Sequence, residues 1–324
     1  MGGDSMSFSS QVKEELSRQI HRSRHCQIAE IAAILSFAGK LEETKEDSIL
    51  RVYTENISLA RKYFVLMKNI FQVTICITVR QNIYLHKNRT FVLSLSGKEG
   101  VTKILQAVKW HNEKNEDIRS KELVHRILIQ KSCCRRAFIR GAFLTAGSIS
   151  DPEKSYHFEI VCFGEEKAKQ LIEIINSFGM EAKIVVRKKN HVVYLKEGSQ
   201  IVDILNIMEA HVALLELENI RILKEMRNSV NRQVNCETAN ISKTVSAAVK
   251  QLEDINYIKN IRGLDSLPDN LREIALVRIQ NPQAALKELG TLLEPPVGKS
   301  GVNHRLRKLS EIAEELRKLT SMKP

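Results

Sequence analysis

Residues Phe138–Ser148 read FIRGAFLTAGS, a helix-like run whose end carries the small residues Gly141, Ala142, Thr145, Ala146 and Gly147 and no acid. A second copy stands upstream. IAAILSFAG (Ile31 to Gly39) superposes without a gap on IRGAFLTAG (Ile139 to Gly147), laying Ile31 on Ile139, Ala33 on Gly141, Ala38 on Ala146 and Gly39 on Gly147. A repeat of this kind governs the rest of the reading, because each copy then heads one unit of a duplicated fold.

The segments after each copy support the duplication. The first copy is succeeded by a short polar turn and SILRVYTE (Ser48 to Glu55), whose alternation reads as a strand. NISLARKYFVLMKNIF (Asn56 to Phe71) reads as an amphipathic helix with an Asn cap. Val73–Arg80 and Thr90–Gly97 alternate as a hairpin pair, and Glu99–Trp110 closes with a helix. After the second copy the order recurs: a strand at Ser155–Phe163, a helix at Glu165–Gly179 with a Gly stop, a tighter hairpin at Glu181–Arg187 and His191–Lys196, and a closing helix at Ser199–Met208. Both halves read as helix, two strands, helix, two strands, helix, which makes this part of the chain α+β.

Two such units joined through their first helices resemble the LAGLIDADG homing-endonuclease fold. That resemblance implies motif helices packed at a pseudo-two-fold axis, where glycine lets backbones approach, and two sheets forming a saddle that can lie on DNA. Ordinary helix packing accounts for the small residues of one copy, but less readily for two copies in the same succession of elements. In the endonucleases the acid before the last glycine of each motif holds a divalent metal that activates water for phosphodiester cleavage. Here those positions are Ala38 and Ala146, and a methyl group coordinates nothing. The nearest acids, Glu42, Glu43, Asp151 and Glu153, lie beyond the helix ends in or near turns. The expectation is a nuclease scaffold that is not an enzyme, with no metal and no cofactor. HRSRHC (His21 to Cys26) and the Cys133–Cys134 pair hold metal-capable atoms, but in no spacing that builds four ligands. No phosphate-binding glycine loop, nucleophile elbow or dinucleotide fingerprint appears, so a small-molecule substrate is not expected.

The bulk numbers agree with a DNA partner. The chain has 324 residues, 43% of them apolar, enough for real cores. A formal net charge of +12 favours a polyanion, although ribosomal or membrane-surface contact would give similar totals. No apolar run approaches the roughly 18 to 20 residues that span a bilayer. MGGDSMSFSSQVKEEL, with its early acids, does not read as a secretory signal; residues 1–5 read as a cloning remnant or an alternative start. The six cysteines show no CxxC pair and suit free thiols in a reducing cytoplasm.

From about Ile220 the texture changes. ENIRILKEMRNSVNRQVN reads as a long polar connecting helix, Ala239–Asn260 as a helix with apolar residues near helical spacing, and Leu267–Gln280 as another with Pro268 in its first turn. NPQAALKELGTLL (Asn281 to Leu293) opens with Asn then Pro, a helix-start signal. Pro295 and Pro296 stop that helix, and Ser300 is a good cap for the next. There Val302, Leu306, Leu309, Ala313 and Leu316 form one apolar stripe; His304, Arg307 and Lys308 point away from it, flanked by Asn303 and Arg305. With Lys299 and no acid before Glu311, this basic, amide-bearing N-terminal half suits a helix-turn-helix reader in the major groove of double-stranded DNA. Arg and Asn make two-point base contacts and Lys suits phosphate. The other reading is an ordinary solvated face. Arg80, Lys87, Arg89, Arg187, Lys188 and Lys189, in the hairpins and their turns, would suit a sheet that tracks the DNA backbone, or are solvated turn residues.

Three long stretches carry a closer resemblance: CCRRAFIRGAFLTAGSISDPEKSYHFEIVC (Cys133 to Cys162), NCETANISKTVSAA (Asn235 to Ala248) and GKSGVNHRLRKLSEIAEEL (Gly298 to Leu316), with SFSSQVKEEL (Ser7 to Leu16) at the start. In these the chain resembles the WhiA-type transcription regulators of Gram-positive bacteria. The resemblance implies a degenerate LAGLIDADG domain, with halves at residues 6–125 and 126–219, a connector at 220–238 and a helix-turn-helix domain at 239–324. It also implies binding to promoter or chromosomal DNA in the nucleoid, autoregulation, and control of cell division and chromosome segregation, with sporulation in some hosts. Other regulatory proteins could dock on the N-terminal domain. Two alternatives stay open: a nucleoid-associated protein that acts on division without regulating transcription, and an active metal-dependent endonuclease, to which the sequence denies both axis carboxylates.

Overall fold

The structure is a computed structural model and describes residues 6–44, 47–81, 89–110 and 122–321. They form two compact units that divide between Lys224 and Glu225.

The first unit contains the repeat. After α1 (Phe8–Arg18) comes α2 (Arg24–Ala38), then β1 (Gly39–Glu43), β2 (Ser48–Thr54), α3 (Ile57–Phe71), β3 (Cys76–Gln81), β4 (Arg89–Ser96) and α4 (Lys98–Ala107). The second half repeats this with α5 (Ser132–Ala146), β5 (Gly147–Ile149), β6 (Phe158–Cys162), α6 (Glu165–Asn176), β7 (Lys183–Arg187), β8 (Asn190–Leu195) and α7 (Gly198–Met208). The sheets run β1-β2-β4-β3 and β5-β6-β8-β7, all antiparallel, so strand order repeats as well as sequence. The first strand of each half, assigned no residues from the sequence pattern, follows directly on the motif helix: Gly147–Ile149 pairs with β6, and Gly39–Glu43, where a polar turn was expected, is an edge strand paired with β2 from Gly39↔Val52 to Glu43↔Ser48. Its mostly polar sequence hides it because only one flank is paired.

Local chemistry accounts for the elements. Asn56 caps α3, its Oδ1 accepting from the backbone N–H of Ser58 at 2.8 Å and of Leu59 at 3.3 Å. In the sheets Leu50, Val52, Leu93 and Leu95 are buried while Arg51 and Tyr53 are half-buried on the other face, the period-2 alternation of a half-covered sheet.

The motif helices lie at the centre. Ile31–Leu35 of α2 and Ala137–Leu144 of α5 are buried throughout, as expected of helices covered on nearly all sides. Their contact needs glycine at one point: a Cβ on Gly141 would lie 2.7 Å from the Glu30 carbonyl oxygen and 2.9 Å from the Ala33 Cβ. Charge is buried here too. Glu30 pairs with Lys62 at 3.0 Å and with Arg140 at 3.2 Å, and Arg140 reaches Glu209 at 2.7 Å. Lys62 Nζ also donates to the carbonyls of Leu16 (3.0 Å) and Gln19, so each buried charge has an opposite partner, although Glu30 Oε2 accepts no hydrogen bond among the described residues. Burial holds the Lys62 ammonium below its ordinary value against the pull of Glu30.

The division between the two units, at Lys224 and Glu225, falls inside a helix rather than in a loop. A single helix, α8 (His211–Ile261), runs through the expected connector and the expected helix at Ala239–Asn260, since no Gly or Pro interrupts it. In the second unit α9 (Asp269–Gln280), α10 (Leu286–Thr291) and α11 (Lys299–Ser321) pack with Ile255 and Ile258 of α8 around a core of Leu271, Ile274, Leu289, Leu293, Val302, Leu306 and Leu309. The start expected at Asn281–Pro282 is displaced. Asn281 ends α9, its amide donating to the Val277 carbonyl, and α10 starts after Ala285, whose N–H donates to Glu288 at 2.9 Å.

Candidate nucleic-acid interface

One spacing gives α11 its two faces. Val302, Leu306, Leu309 and Ala313 are buried, with Leu316 packed against them, worth about 1.5–3 kcal/mol for each large aliphatic side chain. Lys299, Ser300, Asn303, His304, Arg307 and Lys308 are all exposed and recur at i, i+1, i+4, i+5, i+8 and i+9. The face offers cations, an amide, a hydroxyl and an imidazole at the positive end of the helix dipole. Its first acid is Glu311, 3.5 Å from Arg307; with side chains 80% and 60% exposed, this pair constrains Arg307 little.

Two expected details change. Ser300 sits inside the first turn rather than capping it: α11 begins at Lys299, and the Gly298 carbonyl accepts from the Val302 N–H at 3.1 Å. Arg305 is engaged within the helical unit. It is half-buried, 3.4 Å from Glu273 of α9, and donates to the Asn270 carbonyl at 3.5 Å. Glu273 also accepts from the Glu294 N–H at 2.8 Å, so it ties the turn before α11 and α11 itself to α9.

Gly290 positions that turn. The Val297 N–H donates to the Gly290 carbonyl at 2.9 Å, and a Cβ on Gly290 would lie 2.0 Å from the Val297 oxygen. Behind it the buried Arg278 donates from Nε and Nη2 to Gln251 Oε1 (3.0 and 2.8 Å) and from Nη1 to the Ala284 carbonyl at 2.6 Å. Burial lowers its affinity for the proton.

The accessory cations divide. Register puts Arg80, opposite Thr90, on the outward face of the first sheet with Arg51, whereas Arg89, opposite Gln81, takes the other face. Arg187 is outward on the second sheet but is held 3.1 Å from Glu159. Lys188 and Lys189 are exposed in the β7–β8 turn. Lys87 lies outside the described residues.

At the motif ends Ala38 and Ala146 close α2 and α5 and pack against the core. Of the nearby acids, Glu42 is a β1 residue paired with Arg51, and Asp151 accepts from the Glu153 N–H and lies 3.8 Å from Lys154. The opposite ends of the same helices overturn the expectation about metal-capable spacing. His25, Cys26, Cys133 and Cys134 come together with their ligand atoms all within 4.8 Å of one another. Burial, followed by the neighbouring thiols, pushes the Cys26 thiol up to about 12.

Comparison with known proteins covers most of the chain. Family profiles match in three parts: the WhiA N-terminal LAGLIDADG-like domain at residues 24–109, the WhiA LAGLIDADG-like domain at 135–227 and the WhiA C-terminal HTH domain at 230–313. A protein of Lachnoclostridium phytofermentans named probable cell division protein WhiA is 54% identical over 315 residues, 96% of this chain and 100% of that one. One of the same name from Alkaliphilus oremlandii is 52% identical, covering 96% and 98%. The crystal structure of full-length DUF199/WhiA from Thermatoga maritima aligns over 95% of this chain and 98% of its own, with a TM-score of 0.59 and 26% identity.

Proposed function

This chain belongs to the WhiA family, and from that membership we propose that it regulates cell division by binding promoter or chromosomal double-stranded DNA through α11, on a nuclease-like body that does not cut. The observation that carries the reading is the exposed face of α11. In a major groove, Arg307 and Asn303 have the two-point geometry for guanine and adenine, Lys299 and Lys308 suit phosphates, and Ser300 and His304 can serve either. Arg305 would act indirectly, by fixing the helix on α9. Alanine at both motif ends supports the loss of cleavage, since neither residue can hold the metal that the chemistry requires. The outward cations of the two sheets would add sequence-independent backbone contacts and favour residence on the nucleoid, while the rest of this body could take a protein partner.

The test is to titrate the full chain against genomic fragments with Mg²⁺ present, beside random DNA of equal length. Intact fragments sharing a sequence, held ~10³-fold or more above random DNA, are the expected result. Cleaved DNA, or equal retention of random sequence, would count against it.

A further inference from the structure

We propose that His25, Cys26, Cys133 and Cys134 form a four-ligand site for zinc that staples the N-terminal ends of the two motif helices together.

The geometry already suits a tetrahedral ion. His25 Nδ1 lies 3.2 Å from Cys134 Sγ, 3.3 Å from Cys26 Sγ and 4.0 Å from Cys133 Sγ, and no pair of ligand atoms exceeds 4.8 Å. Zinc bonds of about 2.3 Å to sulfur and 2.0–2.1 Å to nitrogen, set at tetrahedral angles, place ligands about 3.6–3.8 Å apart. Movements of a few tenths of an ångström to about one ångström separate the two arrangements.

The symmetry of the fold builds the site. The register that lays Ile31 on Ile139 also lays His25 on Cys133, 108 residues apart, and Cys26 on Cys134. Each half contributes two adjacent residues from the first turn of its motif helix, so the site straddles the pseudo-two-fold axis just as a carboxylate pair at the other end of these helices would. The chemistry at the two ends differs. Positions 38 and 146 carry alanine and offer no hard oxygen ligand, whereas thiolates and an imidazole select a soft or borderline ion such as zinc.

The surroundings suit a closed structural site. Cys26 and Cys134 are buried beside Ala29 and Ala137, Cys133 is half-buried, and only His25 is exposed. Three thiolates around a divalent ion leave one net negative charge, which two helix N-termini stabilise. Binding displaces the thiol protons, and the ion links α2 to α5.

The test is metal analysis of the full chain, purified without a metal-chelating tag, followed by replacement of the metal with cobalt. About one zinc per chain, and a cobalt spectrum with thiolate charge-transfer and tetrahedral bands, are expected; removing zinc with a chelator should lower the melting temperature. Cys26→Ser and Cys134→Ser could disturb packing, so the decisive variant is His25→Ala with Cys133→Ser, at the two more exposed positions. With a wild-type circular dichroism spectrum it should lose at least nine-tenths of its zinc. A wild-type chain that takes up neither zinc nor cobalt, unchanged zinc content in the double variant, or a disulfide among the three cysteines would overturn the proposal.

Discussion

Gly141→Ala adds one methyl group where α2 and α5 come closest. The new Cβ would stand 2.7 Å from the Glu30 carbonyl oxygen, 2.9 Å from the Ala33 Cβ and 3.3 Å from the Glu30 Cγ. Comfortable carbon contacts lie at about 3.5–4 Å, so either the helices part or Glu30 moves. Glu30 is poorly free to move, because its fully buried carboxylate pairs with Lys62 and Arg140. Overpacking of this kind costs about 1–3 kcal/mol, and the better helix propensity of alanine returns up to about 1 kcal/mol. We expect a net loss of about 1–2 kcal/mol, or roughly 2–8 °C in melting temperature for a unit of this size. Gly100→Ala in α4 is the control: its Cβ would meet only the Leu95 Cδ2 at 3.6 Å and the Val73 Cγ1 at 3.9 Å. It should leave stability unchanged or raise it by up to about 1 kcal/mol. Urea unfolding of the full chain, tracked by the fluorescence of its one tryptophan, Trp110, reports the first core, where that residue is buried. If Gly141→Ala were as stable as the parent, or moved in the same direction as Gly100→Ala, the close approach of the motif helices would be refuted.

Three further substitutions probe other links. Arg307→Ala should weaken binding to a specific site by about 1–3 kcal/mol in a fluorescence-anisotropy titration, with discrimination relaxed at one base position; an unchanged curve would remove it from the reading face. Arg305→Ala should weaken binding less than Arg307→Ala while lowering the melting temperature of the second unit slightly, since a half-exposed pair with Glu273 contributes at most about 1 kcal/mol. Glu30→Gln leaves Lys62 and Arg140 buried with less compensation, and should cost about 3–5 kcal/mol in the same Trp110 unfolding experiment.

The fold was largely legible because the repeat is written in residues that packing cannot vary. Gly141 and the buried runs around it must stay small or apolar for α2 and α5 to touch, so the two copies remain recognisable. The polar edge strand β1 escaped notice because its outer flank makes no demand for apolar residues. The apolar stripe of α11 was visible from spacing, and with it the exposed face. The pairing of Arg305 was hidden, since its partner Glu273 lies on another helix and a helical wheel shows only one. The cysteine–histidine cluster was missed for a related reason. Metal motifs are sought as short spacings in one segment, whereas these ligands come in two adjacent pairs from the two halves. The repeat register was the signal that could have found them.

The most direct measurement compares specific and random DNA affinities, at two salt concentrations and with Mg²⁺ present, for the parent chain, an Asn303→Ala/Arg307→Ala variant and a Lys188→Ala/Lys189→Ala variant. With α11 reading bases, we expect the first variant to lose most of the specific-over-random ratio. The second should weaken both affinities alike and reduce the salt slope by about 1 for each phosphate no longer neutralised. Loss of discrimination in the sheet variant with the α11 variant unaffected, or cleavage of the DNA by the parent chain, would contradict a reader helix carried on a body that does not cut.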